Sequence, residues 1–127
     1  MSFIDETSAT LEPRDIWVVA EVGTDNKPTP LTLQVVGGAR MMADGLGCYV
    51  HAVVMGSGLE SVPARLVAAV ADRVHVADDP SLGNAEACLK VLGDLLAAQP
   101  PEILLFGATP LADELAPRLA ERLAHGK

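Results

Sequence analysis

Ile16-Trp17-Val18-Val19-Ala20 is the stretch on which the fold turns. These residues are apolar without a break, too few for a helix, and lack the alternation of a strand with one wet face. Such a run predicts a strand buried on both faces, as in parallel sheets covered by helices. Further along, Tyr49–Met55 and Arg73–Ala77 read as strands, and Ile103–Phe106 is the most hydrophobic run in the chain and reads as a fourth buried strand.

The segments between them read as helices. Thr29-Pro30 supplies an N-cap hydroxyl and a proline at the first helical position, and Val35, Ala39, Met42, Ala43 and Leu46 recur at helical spacing up to the Gly45 and Gly47 pair. Gly37-Gly38 weakens that helix by on the order of 1 kcal/mol per residue against alanine, a cost that close approach to the sheet or to a neighbouring subunit would explain. Val62–Ala71 carries Pro63 in its first turn. Asn84 is an N-cap ahead of a stripe of Cys88, Leu92, Leu95 and Leu96, ended by Pro100-Pro101. Thr109-Pro110 repeats the capping signature before Leu111, Leu115, Leu119 and Leu123, with Asp113 and Glu114 early and Arg118 and Arg122 late, as the helix dipole favours.

Strands alternating with helices through short links predict an α/β doubly wound three-layer sandwich, with a mostly parallel sheet in the order 3-2-1-4. That order puts the apolar Ile103–Phe106 on an edge, where a charged strand is the norm, so a further strand or another subunit is expected to cover it. Residues 1–13 read as a flexible leader and residues 14–127 as a single α/β domain.

Composition narrows the function. At 127 residues and 50% apolar, the chain can build one core without disulfide or metal staples. Its net charge of −8 repels phosphate backbones, and with Phe3, Trp17, Tyr49 and Phe106 as the whole aromatic stock there is little surface for base stacking, so no nucleic acid partner is expected. Cys48 and Cys88 stand 40 residues apart without a paired thiol or histidine motif and read as ordinary reduced thiols. The first thirteen residues carry Asp5, Glu6 and Glu12 and no apolar core run, which predicts no signal peptide, no membrane anchor and a cytoplasmic address.

A ligand of an open α/β sheet sits beyond the carboxyl ends of the strands, near the switch in strand order. Here those ends carry Glu21, Gly56-Ser57-Gly58, Asp78-Asp79 and Gly107-Ala108-Thr109. Gly56-Ser57-Gly58 is a fragment of a dinucleotide loop whose third glycine position is Ser61. Glu21, Asp78 and Asp79 are candidate acid–base or magnesium-binding carboxylates, although Asp78-Asp79-Pro80 is also ordinary turn chemistry. His51, His75 and His125 stand in no nucleophile motif and read as core or edge histidines. No catalytic, cofactor-binding or metal residue is assigned; the expectation is a surface for association.

Several of these segments together resemble a known family. Asp15-Ile-Trp-Val-Val-Ala-Glu21, Val50-His-Ala-Val-Val-Met-Gly56, Val74-His-Val-Ala-Asp-Asp-Pro80, Leu105-Phe-Gly-Ala-Thr109 and Leu115-Ala-Pro-Arg-Leu-Ala120 look like the amino-terminal domain of the electron-transfer flavoprotein alpha subunit, from about residue 15 onward. The resemblance implies an adenine-nucleotide alpha-hydrolase-like fold that packs on a beta subunit. It also implies FAD held mainly by a separate carboxyl-terminal flavin-binding domain, which is absent from the sequence up to Lys127, as is the strand that follows the Leu115-Ala-Pro-Arg helix. Where the family commonly has Gly-Arg-Asp before that helix motif, this chain has Ala112-Asp113-Glu114, which reverses a charge and leaves Arg118 as the matched polar interface candidate.

The first expectation is therefore a structural and partner-binding domain with no enzymatic activity of its own, supporting FAD-mediated electron transfer from dehydrogenases. Its interface would include Ile103, Leu105, Thr109 and Arg118, its partners would be the beta subunit and the flavin-binding domain, and a homodimer could form in isolation. The alternatives are a free-standing nucleotide-binding module similar to universal stress proteins, motivated by Gly56–Gly58 and Thr109, and an enzyme using the acidic rim.

Overall fold

The computed structural model describes residues 14–125; the expected leader lies outside them. Strands β1 (Ile16–Ala20), β2 (Val50–Gly56), β3 (Arg73–Asp78) and β4 (Ile103–Phe106) form one sheet in the order β3-β2-β1-β4. Every pairing is parallel, with Ile16 opposite both Val50 and Ile103, and His51 opposite Arg73. Helices α1 (Pro30–Leu46), α2 (Val62–Ala68), α3 (Ala85–Ala98) and α4 (Pro110–His125) cover it, and a 3₁₀ turn spans Pro80–Leu82. The α/β class and strand order are those the sequence predicts.

All five residues of β1 are buried, and alternation sends them to two different cores. Ile16, Val18 and Ala20 pack with Val50, Ala52 and Val54 against Val36, Ala39 and Ala43 of α1 and Val62 and Leu66 of α2. Trp17 and Val19 join Val53 against Leu92 and Leu96 of α3 and Leu119 of α4. On β4, Ile103 and Leu105 face the first core and Leu104 and Phe106 the second, yet all four stay only half-buried because nothing lies beyond their outer edge among the described residues.

Helix α1 corrects two expectations. It begins and ends where the sequence places it, with the Thr29 hydroxyl accepting from the Thr32 N–H and Gly47 in the left-handed conformation at the C-cap. Its buried stripe, however, is Thr32, Val36, Ala39 and Ala43, while Met42 and Leu46 are 39% and 45% exposed. The helix is rolled this way because the buried Thr32 hydroxyl bonds the Glu21 N–H and carbonyl at 2.9 and 3.2 Å. A Cβ added at Gly37 or Gly38 would meet nothing within 4 Å beyond the helix's own backbone, so neither serves a close approach to the sheet.

Among the described residues no helix is long and apolar enough to cross a membrane. The amino ends of the strands are pinned by two aspartates. Asp15 accepts from the Tyr49 N–H, and Asp72 accepts from the Val50 N–H and from Arg40. Burial opposes ionisation of Asp72, but the Val50 and Arg40 bonds outweigh it and hold its carboxyl below the usual range.

After α2 the chain turns through Val70 at φ 72°, a left-handed conformation that a β-branched residue adopts at a cost of roughly 1–2 kcal/mol. The turn is closed by the Ala71 N–H on the Leu66 carbonyl, and Val70 is 48% exposed. Val70→Gly is expected to raise stability by about 1 kcal/mol, because the relieved strain exceeds the extra unfolded-state entropy of glycine. A urea midpoint no higher than that of the parent chain contradicts this reading of the turn.

Candidate functional site

The switch point of the sheet lies between β1 and β4, where α1 and α4 leave toward opposite faces. Both helices begin there with a capping threonine. The Thr29 hydroxyl accepts from the Thr32 N–H at 3.1 Å and donates to the Thr32 hydroxyl, which in turn donates to the Glu21 carbonyl. The Thr109 hydroxyl accepts from the Ala112 N–H at 3.1 Å and donates to the Glu21 carboxylate. Glu21 thus connects the start of α1, through its backbone, to the start of α4, through its carboxylate.

Hydrocarbon lines the remaining space. Leu31 of α1 lies so close to Gly107 that a Cβ added there would meet Leu31 Cδ2 at 2.8 Å. The crevice in which an open α/β sheet ordinarily takes a ligand is lined here by Glu21, Thr109 and Leu31.

The second candidate is the Gly56–Gly58 loop after β2. Gly58 has φ 73°, and its N–H and that of Leu59 are the two amides such a loop would offer a phosphate. Both are taken by one side chain: Asp78 accepts from Gly58 at 3.1 Å and from Leu59 at 3.0 Å. Asp79 is turned away to accept from the Ser81 N–H at 2.8 Å, a bond that holds its carboxyl below the usual range. The three rim carboxylates therefore do not converge, and among the described residues no group of histidine, cysteine, aspartate and glutamate is placed to hold a metal. Three cavities of about 440, 360 and 310 Å³ are lined by residues such as Arg14, Leu96, Pro100 and Arg122, and by none of Glu21, Gly56, Asp78 or Thr109.

The four candidate interface residues fall in two places. Ile103 and Leu105 lie on the edge strand, and Thr109 stands where β4 gives way to α4. Arg118 is exposed on α4 and pairs with Glu86 of α3. Burial pushes both the Cys48 and Cys88 thiols up, as ordinary protonated thiols require. Sequence reasoning treated His51 and His75 as separate, yet the structure joins them in one hydrogen-bonded chain with Asp15. The signal was available in strand alternation, since Trp17 and His51 are register partners and His75 lies on the same face one step along.

A family model described as the electron transfer flavoprotein domain matches residues 16–126. The chain belongs to that family. It is 37% identical over 115 residues to the electron transfer flavoprotein subunit alpha of Thermoanaerobacterium thermosaccharolyticum, covering 89% of this chain and 34% of the relative. It is 34% identical over 117 residues to the subunit of the same name from Megasphaera elsdenii, covering 91% and 34%. The acryloyl-CoA reductase electron transfer subunit beta of Anaerotignum propionicum is 34% identical over 115 residues, covering 89% and 31%. The chain thus spans about a third of the length of these curated relatives, and it corresponds to the amino-terminal domain of the alpha subunits. The role of the family is electron transfer, and the relatives are named as electron transfer subunits.

Asp78→Ala is expected to cost about 1 kcal/mol and to free the Gly58 and Leu59 amides. In that variant millimolar phosphate should raise the melting temperature, whereas the parent chain should show no response. A phosphate-dependent rise of equal size in both proteins contradicts the reading of Asp78 as the occupant of the loop.

Proposed function

We propose that residues 14–127 form a single scaffold domain of an electron-transfer flavoprotein alpha subunit, one that positions partners and carries out no chemistry of its own. FAD is held elsewhere in the assembled flavoprotein and accepts electrons from dehydrogenases. The beta subunit and the flavin-binding domain are the partners. In this reading the domain contributes geometry: a stiff sheet keeps the flavin and the partner subunit at fixed separation.

The observation that carries the proposal is the outer edge of β4. Four consecutive large apolar residues, Ile103-Leu104-Leu105-Phe106, run along a sheet border and remain half-buried there. An apolar edge strand with unpaired backbone groups is an aggregation hazard unless other polypeptide completes it. Thr109 stands immediately past the strand, and Arg118, exposed on the following helix, would be a separate contact. The names of the relatives support a partner of the electron-transfer type, and the crevice lined by Glu21 supports a domain that holds no nucleotide of its own.

Mixing this chain with a beta subunit and a flavin-binding segment from a relative is expected to give a complex that elutes with flavin absorbance. Ile103→Lys puts an unpaired ammonium at the border and should weaken association more than about tenfold, on the order of 1.4 kcal/mol, with far-UV circular dichroism unchanged. Separate elution of the parent chain from both components, or undiminished association of Ile103→Lys, contradicts the proposal.

A further inference from the structure

Toward the opposite end of the sheet from the rim, one side chain from each of three neighbouring strands and Asp15, just before β1, make one connected group. Asp15 Oδ2 lies 2.7 Å from His51 Nε2, and His51 Nδ1 lies 2.9 Å from His75 Nε2. The Trp17 ring lies flat on both imidazoles, with ring centroids 4.2 and 4.6 Å away and interplanar angles of 11° and 14°. His51 is 4% exposed, and His75 is half-buried on the edge strand β3. A cavity of about 360 Å³ lined by Asp15, Trp17, His51, Gln99 and Pro100 gives water a route to the group.

Donor and acceptor rules fix how many protons this chain can hold. An ionised carboxylate only accepts, so His51 Nε2 carries a hydrogen. One hydrogen then fits between the two rings. With both imidazoles neutral it resides on His75 Nε2, and His51 Nδ1 accepts it. One added proton enters at His75 Nδ1, and the resulting cation is shared: moving the central hydrogen to His51 Nδ1 transfers the charge toward Asp15. A second added proton sets two N–H groups against each other across 2.9 Å, and the link must break.

We propose that Asp15, His51 and His75 form a proton-sensing latch that ties the edge strand β3 across β2 to the start of β1, storing one proton and releasing β3 when a second binds. The stored charge is balanced by Asp15 and by the face of Trp17, a cation–π arrangement. The surrounding charges come from each neighbouring element: Arg73 on β3, Asp72 before it with its partner Arg40 from α1, and Arg14 and Glu102 next to Asp15. Helices α3 and α4 present the apolar Leu92, Leu96 and Leu119 around Trp17.

Burial, then His51, then Arg73 push the His75 imidazole below the ordinary histidine range. The unfolded chain therefore takes up the second proton, the one that leaves both rings charged, more readily than the folded one. Stability is complete above the ordinary value of 6.5 and falls as pH drops below it, until His75 protonates in the folded state as well.

Trp17 is the sole tryptophan, so intrinsic fluorescence reads this group directly. A stacked imidazolium quenches indole emission. Titrating the 127-residue chain from about pH 8 to about pH 4 is expected to quench emission in two separate steps. The first step should leave amide exchange unchanged, and the second should speed exchange at Val74 and Val76. In His75→Gln, whose amide still donates to His51, one step should disappear. Ring-nitrogen NMR of the parent chain near pH 8 should find the hydrogens of both His51 and His75 on Nε2, and this reading stands even if the variant does not fold. Flat emission, two steps that survive His75→Gln, or a His75 hydrogen on Nδ1 near pH 8 overturns the latch.

Discussion

One residue organises the functional end of this sheet, through its backbone on one side and its carboxylate on the other. Glu21 follows the most buried strand and faces the first turns of two helices that pack on opposite faces, and its bonds run through Thr32 to one cap and through Thr109 to the other. The same bonds roll α1 so that Thr32 faces inward, which sends Met42 and Leu46 outward. Leu31 of the same helix lies close against Gly107 at the switch in strand order.

That closure bears on function. Related α/β sheets use their carboxyl ends to hold phosphates through backbone amides and helix starts. Here Asp78 takes the loop amides, and the Thr29 and Thr109 hydroxyls take first-turn amides of the two helices, so the chain's own side chains stand where an anionic ligand would. What remains open is the border of β4, apolar and half-buried, which suits a domain whose contribution to an electron-transfer assembly is placement.

Much of this was legible in the sequence because it depends on short-range signals. The unbroken apolar run of β1, the Thr-Pro starts of α1 and α4, the Asn84 cap and the Cys88, Leu92 and Leu96 stripe each depend on neighbours a few residues away. The strand order 3-2-1-4 was a guess at topology that the sheet matches, with the apolar first strand at its centre. The missed features rest on contacts between distant residues: Asp78 on the Gly58 and Leu59 amides, Thr32 on Glu21, and His75 on His51. Helical spacing in α1 was satisfied equally well by two stripes, and the choice between them was made by a hydroxyl that hydropathy does not register. The paired glycines invited an explanation in close packing, but Gly37 and Gly38 face open space.

Isothermal calorimetry of this chain with FAD, AMP and ATP addresses the closed rim most directly. The arrangement of Glu21, Leu31, Thr109 and Asp78 predicts no saturable heat with any of the three at ligand concentrations up to about 1 mM, where a site worth about 4 kcal/mol would be half filled. Saturable micromolar binding that is lost in Thr109→Val or shifted in Asp78→Ala would contradict it.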